Sequence, residues 1–185
     1  MREDTRTRIQ EIALRLFTEQ GYEATSLREI AEELGVTKAA LYYHFKTKDD
    51  IVASLVDLRV AEIEELLDWV KTQPKTPEMR RELLERYAQN LRHPRHLEVA
   101  RFLERNQTAL RNHPKLARMR ETMLALTTEM SEPGATPVER ISRSLALFAL
   151  HAGKWLHAAD PARGDLTEDE IDKASMEVAR RLLDL

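Results

Sequence analysis

The sequence ELGVTKAALYYHF, residues 33–45, decides the fold of this chain. Gly35 interrupts one helical pattern, and Thr37 is a residue type that caps the start of the next helix. No aspartate or glutamate occurs from Leu34 to Lys48, although the chain as a whole has a net charge of −3. A segment without carboxylates in an acidic protein indicates a surface that meets negative charge.

Three residues around this segment have the spacing of a helix-turn-helix. Ala31 allows two helices to cross closely, Gly35 permits the left-handed backbone of a tight turn, and Leu41 packs the second helix on the first. Many helical bundles contain an alanine four residues before a glycine, so this spacing does not decide the motif by itself. The charge pattern is a separate reason to expect it.

Several groups in and after the helix that starts at Thr37 can bind phosphate. The helix N-terminus offers a hydroxyl and free backbone N–H groups, and Lys48 lies at the start of the next helix. Further hydrogen bonds can come from the side chains of Tyr42, His44 and Lys46. A carboxylate on this surface would repel phosphates, which explains why the segment lacks one.

The first turn of the same helix carries residues suited to reading bases. Lys38 can donate to the O6 or N7 atom of guanine. Ala39 and Ala40 are small enough to let the helix approach the duplex and touch a thymine methyl group. These residue types predict a helix that enters the major groove of DNA.

A plainer interpretation is that the lysines form a solvated surface and that the aromatic residues are core. Adjacent residues of a helix point about 100° apart, so Tyr42 and Tyr43 cannot both be buried. We therefore expect one tyrosine to pack and the other to face outward. On the residues alone, both interpretations stay open.

Helical periodicity continues along the chain, and prolines separate the segments. The first four predicted helices are Asp4–Gln20, Ser26–Leu34, Thr37–Phe45 and Thr47–Gln73. Five more are predicted near Glu78–Arg92, Arg95–Arg111, Lys115–Met130, Val138–Ala158 and Glu168–Leu183. No alternating apolar run lies between turn residues, so we predict no strand and an all-α fold of about nine helices.

The composition excludes several classes of protein. Without cysteine there is no disulfide, thiol nucleophile or cysteine-based zinc site, which favours an intracellular, cytoplasmic protein. The start, MREDTRTRIQ, lacks the apolar core of a signal peptide. The longest apolar run, LALFAL at residues 145–150, is too short to span a bilayer, so we expect no membrane association.

Neither a metal site nor an enzyme active site is indicated. His93 and His96 straddle Pro94, and no carboxylate stands beside them at a metal-site spacing. Glycine-rich phosphate loops and recognisable pairs of nucleophile and base are absent. We predict no enzymatic activity, no cofactor and no metal, while a small helical enzyme and an oligomerising adaptor without a DNA role stay as alternatives.

The segment FTEQGYEATSLREIAEELGVTKAALYYHFKTKDDIVASLV, residues 17–56, resembles the DNA-binding region of the TetR family of transcriptional repressors. The likeness covers about residues 8–58. It rests on Phe17, Gly21, Tyr22, Thr25, Ile30, Ala31, Gly35, Val36, Leu41, Tyr42, His44, Phe45 and Lys48. The rest of the chain resembles the family only in its number of helices.

The resemblance implies two domains and a set of DNA contacts. A helix-turn-helix domain at residues 1–47 would be joined by the long fourth helix to a helical ligand-binding and dimerisation domain at residues 48–185. The residues implied to face bases are Arg28, Lys38, Ala39, Ala40 and Tyr43. The residues implied to face phosphates are Thr25, Ser26, Thr37, Tyr42, His44 and Lys48. With Tyr42 facing outward, Leu41 and Phe45 take the buried side.

A single helix-turn-helix grips one half-site weakly, so the chain needs a surface that pairs with a second copy. One candidate face of the eighth helix holds Ala146, Ala149, Leu150, Gly153, Leu156 and His157. A stripe of the ninth helix holds Ile171, Ser175, Val178, Leu182 and Leu183. The sequence alone favours both stripes as monomer core, but the resemblance implies a homodimer through the last two helices.

Aromatic, methionine and amide side chains of the second domain could line a largely apolar ligand cavity with a few polar anchors. The candidates are Trp69, Tyr87, Asn90, Phe102, Asn106, Met119, Met123, Phe148, His151 and Trp155. Each could instead be ordinary core. His151 stands out because a buried imidazole needs a hydrogen-bond partner, which could be a ligand or another core residue.

The resemblance therefore implies a ligand-responsive repressor that binds a palindromic or pseudopalindromic operator as a dimer. Its partners would be double-stranded DNA, a second copy of the chain and a largely apolar small molecule that releases it from DNA. The long fourth helix would carry the signal from the bound ligand to the DNA-binding domain. A shift of this helix would alter the separation of the two reading helices, which DNA requires to be about 34–36 Å.

Overall fold

The computed structural model describes residues 4–92, 94–159 and 166–184, and over these residues all regular structure is helical. The first four helices are α1 Thr5–Glu19, α2 Leu27–Leu34, α3 Lys38–His44 and α4 Lys48–Lys71. The other five are α5 Pro77–Leu91, α6 Pro94–Arg105, α7 Pro114–Glu129, α8 Pro137–Ala159 and α9 Glu168–Leu183. The all-α prediction is confirmed.

Proline marks the start of four consecutive helices, α5 to α8, as the sequence pattern indicates. In each of them the first helical residue is the proline itself: Pro77, Pro94, Pro114 and Pro137. Proline suits this position because its missing N–H would have no partner within the helix, and its fixed φ angle is already helical. The predicted starts fall one residue too late for the same reason.

The end of α6 differs most from the prediction. The helix stops at Arg105, and turns occupy residues 106–112, where the prediction continues the helix to Arg111. The side chain of Asn106 donates to the carbonyl of Phe102 at 2.9 Å and accepts from the backbone N–H of Tyr22 at 2.8 Å. The side chain of the first residue after α6 is thus bound both to α6 and to the turn that contains Tyr22.

Contacts divide the chain into two compact units. The first unit consists of Met1–Ala61 and His93–Arg120, so it holds the helix-turn-helix together with α6 and the start of α7. The second unit consists of Glu62–Arg92 and Glu121–Leu185. The domain boundary predicted between residues 47 and 48 stays a prediction.

The core of the first unit is built around Phe17 of α1. Its ring stacks on Phe102 of α6 with centroids 5.5 Å apart and meets the edge of Tyr22 at 5.3 Å. Ile30 of α2 and Leu41 of α3 are fully buried in the same cluster. A rigid apolar base of this kind fixes the orientation of α3, because buried side chains interlock at close-packed density.

The second unit has a closely packed α8–α9 pair and an ionic cluster in which two buried arginines share one partly exposed carboxylate. Arg80 of α5 is almost fully buried, and it pairs with Glu132 and donates to the Met130 carbonyl at 2.8 Å. Arg143 of α8 also pairs with Glu132, at 3.0 Å. The pKa of Glu132 lies below its usual value, mainly because of a backbone hydrogen bond and also because two arginines share this carboxylate. The cluster ties the α7–α8 connection to α5.

Among the residues that the structure describes, every helix is too short or too polar to cross a membrane. Within the same residues, no group of three or more histidine, aspartate or glutamate side chains is arranged to hold a metal ion. Of the two histidines considered for metal binding, His93 lies outside the described residues.

Candidate nucleic-acid interface

Helix α2 begins and ends with signals that are readable in the sequence. At its start, the Ser26 side chain accepts from the N–H of Glu29 at 3.2 Å, and the Glu29 carboxylate accepts from the N–H of Ser26 at 2.7 Å. This reciprocal capping box satisfies two backbone donors and holds the pKa of Glu29 below its usual value. At its end, Gly35 adopts φ +70°, the left-handed conformation that glycine accepts without strain.

Helix α3 presents one face to the core and the other to solvent. The Thr37 hydroxyl caps its start by accepting from the N–H of Ala40 at 3.2 Å. Leu41 and Phe45 are buried, whereas Tyr43 is 80% exposed. As predicted, the two adjacent tyrosines differ in burial. The resemblance implies that Tyr42 faces outward, but Tyr42 is half-buried and Tyr43 is the more exposed of the two.

The eleven residues assigned to DNA contact differ in exposure. Six of them are exposed: Ser26, Arg28, Thr37, Lys38, Ala39 and Tyr43. Four are half-buried: Ala40, Tyr42, His44 and Lys48. The eleventh, Thr25, is 1% exposed.

Thr25 and Lys48 are engaged inside the protein. The Thr25 hydroxyl donates to the Gly21 carbonyl at 2.9 Å and so closes the turn before α2. Lys48 donates to the carbonyls of Tyr22 at 2.6 Å and Glu23 at 3.2 Å, and its ammonium lies 4.5 Å from the centre of the Tyr22 ring. In this structure both side chains shape the turn at residues 21–25.

Two basic side chains on the exposed surface have weak local partners. Arg28 pairs with Glu32 at 2.7 Å, a contact that raises the pKa of the guanidinium. Lys38 lies 5.4 Å from the centre of the Tyr42 ring. Exposed pairs of these kinds contribute little to stability, so both side chains can exchange them for a nucleic acid.

The connection from α3 to α4 is held by bonds between side chains and the backbone, which include a capping box at the start of α4, a pattern that the sequence Thr47-Lys48-Asp49-Asp50 carries. The Asp50 carboxylate accepts from the N–H groups of Lys46 at 3.0 Å and Thr47 at 2.9 Å, and the Thr47 hydroxyl accepts from the N–H of Asp50 at 3.1 Å. The Lys46 ammonium donates to the Tyr42 carbonyl at 2.6 Å, near the end of α3. These bonds fix the C-terminal end of α3 on α4.

The partners of Tyr22 could not be found by sequence analysis. Its hydroxyl donates to the Asp49 carboxylate, and burial together with this bond raises the pKa of Tyr22 above its usual value. Its backbone N–H is bound by Asn106, which lies 84 positions further along the chain. Neither contact follows a local pattern, so only the folded structure reveals them.

Four of the residues assigned to a ligand cavity lie in the interior or grooves of the second unit. Trp69 and Asn90 line a cavity of about 210 Å³, where the Arg86 guanidinium lies 4.3 Å from the centre of the Trp69 ring. Tyr87 is fully buried, and its hydroxyl lies 2.6 Å from the Nε2 atom of His151, which is half-buried. The imidazole therefore has a core partner.

The other six residues of that set are dispersed. Phe102 and Asn106 are buried in the first unit, and Met119 packs against the same core. In the second unit Met123 is half-buried and Phe148 is 65% exposed. The side chain of Trp155 lies outside the described residues. Cavity lining by the full set stays a prediction.

The α8 and α9 residues assigned to self-pairing pack largely on each other within one chain. Ala146 and Leu150 of α8 are buried, as are Ile171 and Ser175 of α9, and Gly153 of α8 lies against Ser175. Another side of α8 is exposed and apolar, and it includes Leu156, which the sequence analysis placed on one face with Ala146 and Leu150. This exposed stripe consists of Val138, Ile141, Leu145, Phe148 and Leu156. The side chain of His157 lies outside the described residues.

Residues 9–55 match the family model described as bacterial regulatory proteins, tetR family. A 64-residue stretch is 47% identical to the HTH-type transcriptional regulator AcrR of Shigella flexneri, covering 35% of this chain and 30% of that protein. A 48-residue stretch is 50% identical to an HTH-type transcriptional regulator of Staphylococcus aureus strain USA300, covering 26% of each. The chain thus matches less than a third of the length of these relatives.

Solved structures resemble the chain over nearly its whole length. Mycobacterium smegmatis AmtR has a TM-score of 0.69 at 27% identity, covering 97% of this chain and 87% of that chain. A TetR/AcrR-family regulator from Thermobifida fusca has a TM-score of 0.57 at 29% identity, covering 98% of each chain. SmeT in complex with triclosan has a TM-score of 0.68 at 20% identity, covering 98% and 91%, which shows the fold alone.

Proposed function

Because the chain belongs to the TetR family of transcriptional regulators, we propose that it represses transcription by binding an operator as a dimer and leaves DNA when a small molecule binds. The operator is palindromic or pseudopalindromic, since a two-fold dimer presents two identical reading heads. Such a protein needs no cofactor and performs no catalysis. A cytoplasmic location, where bacterial DNA is accessible, stays a prediction for this protein.

The observation that carries this proposal is the exposed face of α3. Lys38, Ala39 and Tyr43 lie on it without covering side chains, while Leu41 anchors the opposite face in the core. The sequence from 34 to 48 contains no carboxylate. A short helix with a basic first turn and a rigid base is what the major groove admits.

The DNA contacts divide into two classes. Lys38 and Tyr43 reach base edges from α3, with Arg28 of α2 beside them, and Ala39 and Ala40 permit the close approach. Ser26, Thr37, Tyr42 and His44 donate to phosphates on the two sides of the groove. Lys48 and Thr25 support the turn before α2, because their polar groups already bind carbonyls there.

The direct test is selection of bound duplexes from a random pool, followed by affinity measurements on the selected duplex. Lys38→Ala and Tyr43→Ala are each expected to weaken binding about tenfold, the usual order for a lost base contact. Lys173→Ala is the matched control, since it removes an exposed lysine of α9 that pairs with Asp169. A protein that binds no duplex at low salt would refute the proposal and favour an adaptor without a DNA role.

The second copy pairs through the exposed stripe of α8, residues Val138, Ile141, Leu145, Phe148 and Leu156. These residues recur mostly every three or four positions and so follow one side of the helix. Val178 of α9 is exposed as well. An apolar stripe of this length on a surface helix indicates a protein contact.

The effector binds in the second unit, near the Tyr87–His151 pair. Tyr87 is fully buried and its hydroxyl lies 2.6 Å from the Nε2 atom of the half-buried His151, so the pair places a polar hydroxyl and an imidazole next to each other in this unit. A largely apolar molecule with one or two polar groups fits this chemistry. Its binding changes the separation of the two α3 helices, which an operator requires to be about 34–36 Å.

Induction is tested by measuring operator affinity against a library of apolar small molecules. An active compound is expected to weaken DNA binding in the unsubstituted protein, and His151→Phe is expected to reduce that response without changing affinity for DNA alone. Compounds that bind the protein with no effect on operator affinity would eliminate the induction mechanism, though not DNA binding.

A further inference from the structure

Asn106 uses its whole amide group to connect the end of α6 with the turn before α2. Its Oδ1 atom accepts from the N–H of Tyr22 at 2.8 Å. Its Nδ2 atom donates to the carbonyls of Phe17 at 3.2 Å and Phe102 at 2.9 Å. The residue is only 8% exposed, so these bonds are shielded from water. A buried amide with three partners of this kind is costly to replace.

Two residues at the end of α6 donate hydrogen bonds to the last carbonyl groups of α1. The last carbonyls of any helix have no partner within the helix, and a buried carbonyl without a partner is unfavourable. Asn106 donates to the Phe17 carbonyl, and the neighbouring Arg105 donates to the Thr18 carbonyl at 2.9 Å. The end of α6 therefore caps the end of α1, and the positive charge of Arg105 lies at the negative end of the α1 dipole.

The bond from Asn106 to Tyr22 holds the turn that leads to α2. The N–H of Tyr22 donates to Asn106, its carbonyl accepts from Lys48, and its hydroxyl donates to Asp49. It is thus held by residues from the end of α6 on one side and α4 on the other. Four residues later, Ser26 begins α2 with its capping box. The position of the α2 N-terminus therefore depends on where Tyr22 lies.

We propose that Asn106 is a positioning residue for DNA binding: by fixing the Tyr22 backbone and the end of α1, it sets the position from which α2 meets phosphate. This rests on the proposed DNA-binding function and adds to it a residue outside the helix-turn-helix. Asn106 never touches the duplex. Its effect passes through Tyr22 and the turn at residues 21–25.

Two substitutions separate the hydrogen bonds of Asn106 from its volume. Asn106→Leu keeps a similar size and removes all three bonds, whereas Asn106→Asp keeps the acceptor for the Tyr22 N–H. Val99→Ala is the matched control, because Val99 is a buried residue of α6, the helix that ends just before Asn106, and its side chain has no hydrogen-bonding group. It lowers the stability of the first unit without removing the Asn106 bonds.

The first measurement is hydrogen exchange of the Tyr22 amide in the full chain without DNA. Asn106→Leu is expected to remove protection of that amide, and Asn106→Asp to retain it. Val99→Ala is expected to retain it as well. Equal protection in the leucine variant and the unsubstituted protein would overturn the inference, because the position of the Tyr22 backbone would then not depend on the Asn106 side chain.

The second measurement is affinity, and its dependence on salt, for the duplex that the unsubstituted protein selects from a random pool. Asn106→Leu is expected to weaken binding about tenfold and to flatten the slope of log K against log[salt] by about one, the loss of one phosphate contact. Asn106→Asp is expected to lie between, and Val99→Ala to match the unsubstituted slope.

The outcomes separate this inference from the proposed function. If the unsubstituted protein selects no duplex, the proposed function fails. If it selects one and Asn106→Leu binds it with the same affinity and slope, only the role of Asn106 fails. That role also fails if Val99→Ala loses as much affinity as Asn106→Leu, since stability alone would then explain both. If the leucine variant does not fold, Asn106→Asp and Arg105→Gln are compared instead, and unchanged affinity in both overturns the inference.

Discussion

Gly153 of α8 lies directly against Ser175 of α9, so that a Cβ atom added to Gly153 would come within 1.9 Å of the Ser175 Oγ atom. The same added atom would lie 3.2 Å from the Cγ2 atom of Ile171. The small residue of α8 thus serves a close helix crossing within one chain. The sequence pattern leaves it open whether this residue meets a helix of the same chain or of a second copy, and it is the family resemblance that implies the contact between two chains.

Gly153→Ala is expected to destabilise the second unit. Alanine is the better helix former by about 1 kcal/mol, but forcing a methyl group into a closed contact costs about 1–3 kcal/mol, so the net change is a loss. In a Ser175→Ala background the nearest atom is gone, and the same substitution is expected to cost less. Urea unfolding of the four proteins measures this coupling, and equal costs in both backgrounds would contradict it.

The features of α2 and α3 could be predicted because each depends on a few adjacent residues. A capping serine, a glycine that accepts a positive φ angle and a capping threonine are local signals, and the structure has all three. The bonds of Tyr22 and Asn106 could not be predicted, because the two residues are 84 positions apart and no pattern connects them.

The faces of α8 show a different limit of sequence analysis. Apolar and small residues occur on both sides of this helix, so periodicity yields two candidate stripes and does not say which of them meets α9. Gly153 and Ala146 pack within the chain, while Leu145 and Phe148 stay exposed. Assigning Phe148 to a ligand cavity has the same origin. Only the position of α9 distinguishes the two sides.

The exposed stripe of α8 leads to a prediction about assembly. Phe148→Glu places a charge in the middle of a surface that we expect to be buried between two copies, so it should shift the protein from dimer to monomer. Leu124→Glu is the control, because Leu124 is exposed to a similar degree, 68% against 65%, but lies on α7. Sedimentation velocity measures the outcome. Equal assembly of the two variants would place the pairing surface elsewhere.

Gly35→Ala is expected to destabilise the helix-turn-helix by about 1–2 kcal/mol, the cost of a left-handed conformation for a residue with a side chain. The cause is the backbone alone, since an added Cβ atom would meet no other atom within 4 Å. Gly35→Asn should cost less because asparagine tolerates this conformation better than alanine does. Chemical unfolding compares the two, and an alanine variant as stable as the unsubstituted protein would show that the turn changes its conformation.

Tyr22 gives the protein a predicted loss of stability at alkaline pH. Burial and the hydrogen bond to Asp49 raise the pKa of Tyr22 in the folded state above its usual value. Above the unfolded value of about 10, the unfolded chain loses the tyrosine proton while the folded chain keeps it, so unfolding becomes more favourable as pH rises. The contribution of this residue is therefore complete below about pH 10 and is lost at up to about 1.4 kcal/mol per pH unit above it.

Tyr22→Phe is expected to remove this part of the pH dependence, because phenylalanine has no proton to release. Tyr43→Phe controls for the removal of a hydroxyl at an exposed site, where the side chain is 80% accessible. The free energy of unfolding in urea, measured between neutral and alkaline pH, is compared among the three proteins. If stability above about pH 10 falls as steeply in Tyr22→Phe as in the unsubstituted protein, the alkaline loss has another source and the buried hydroxyl does not report on folding.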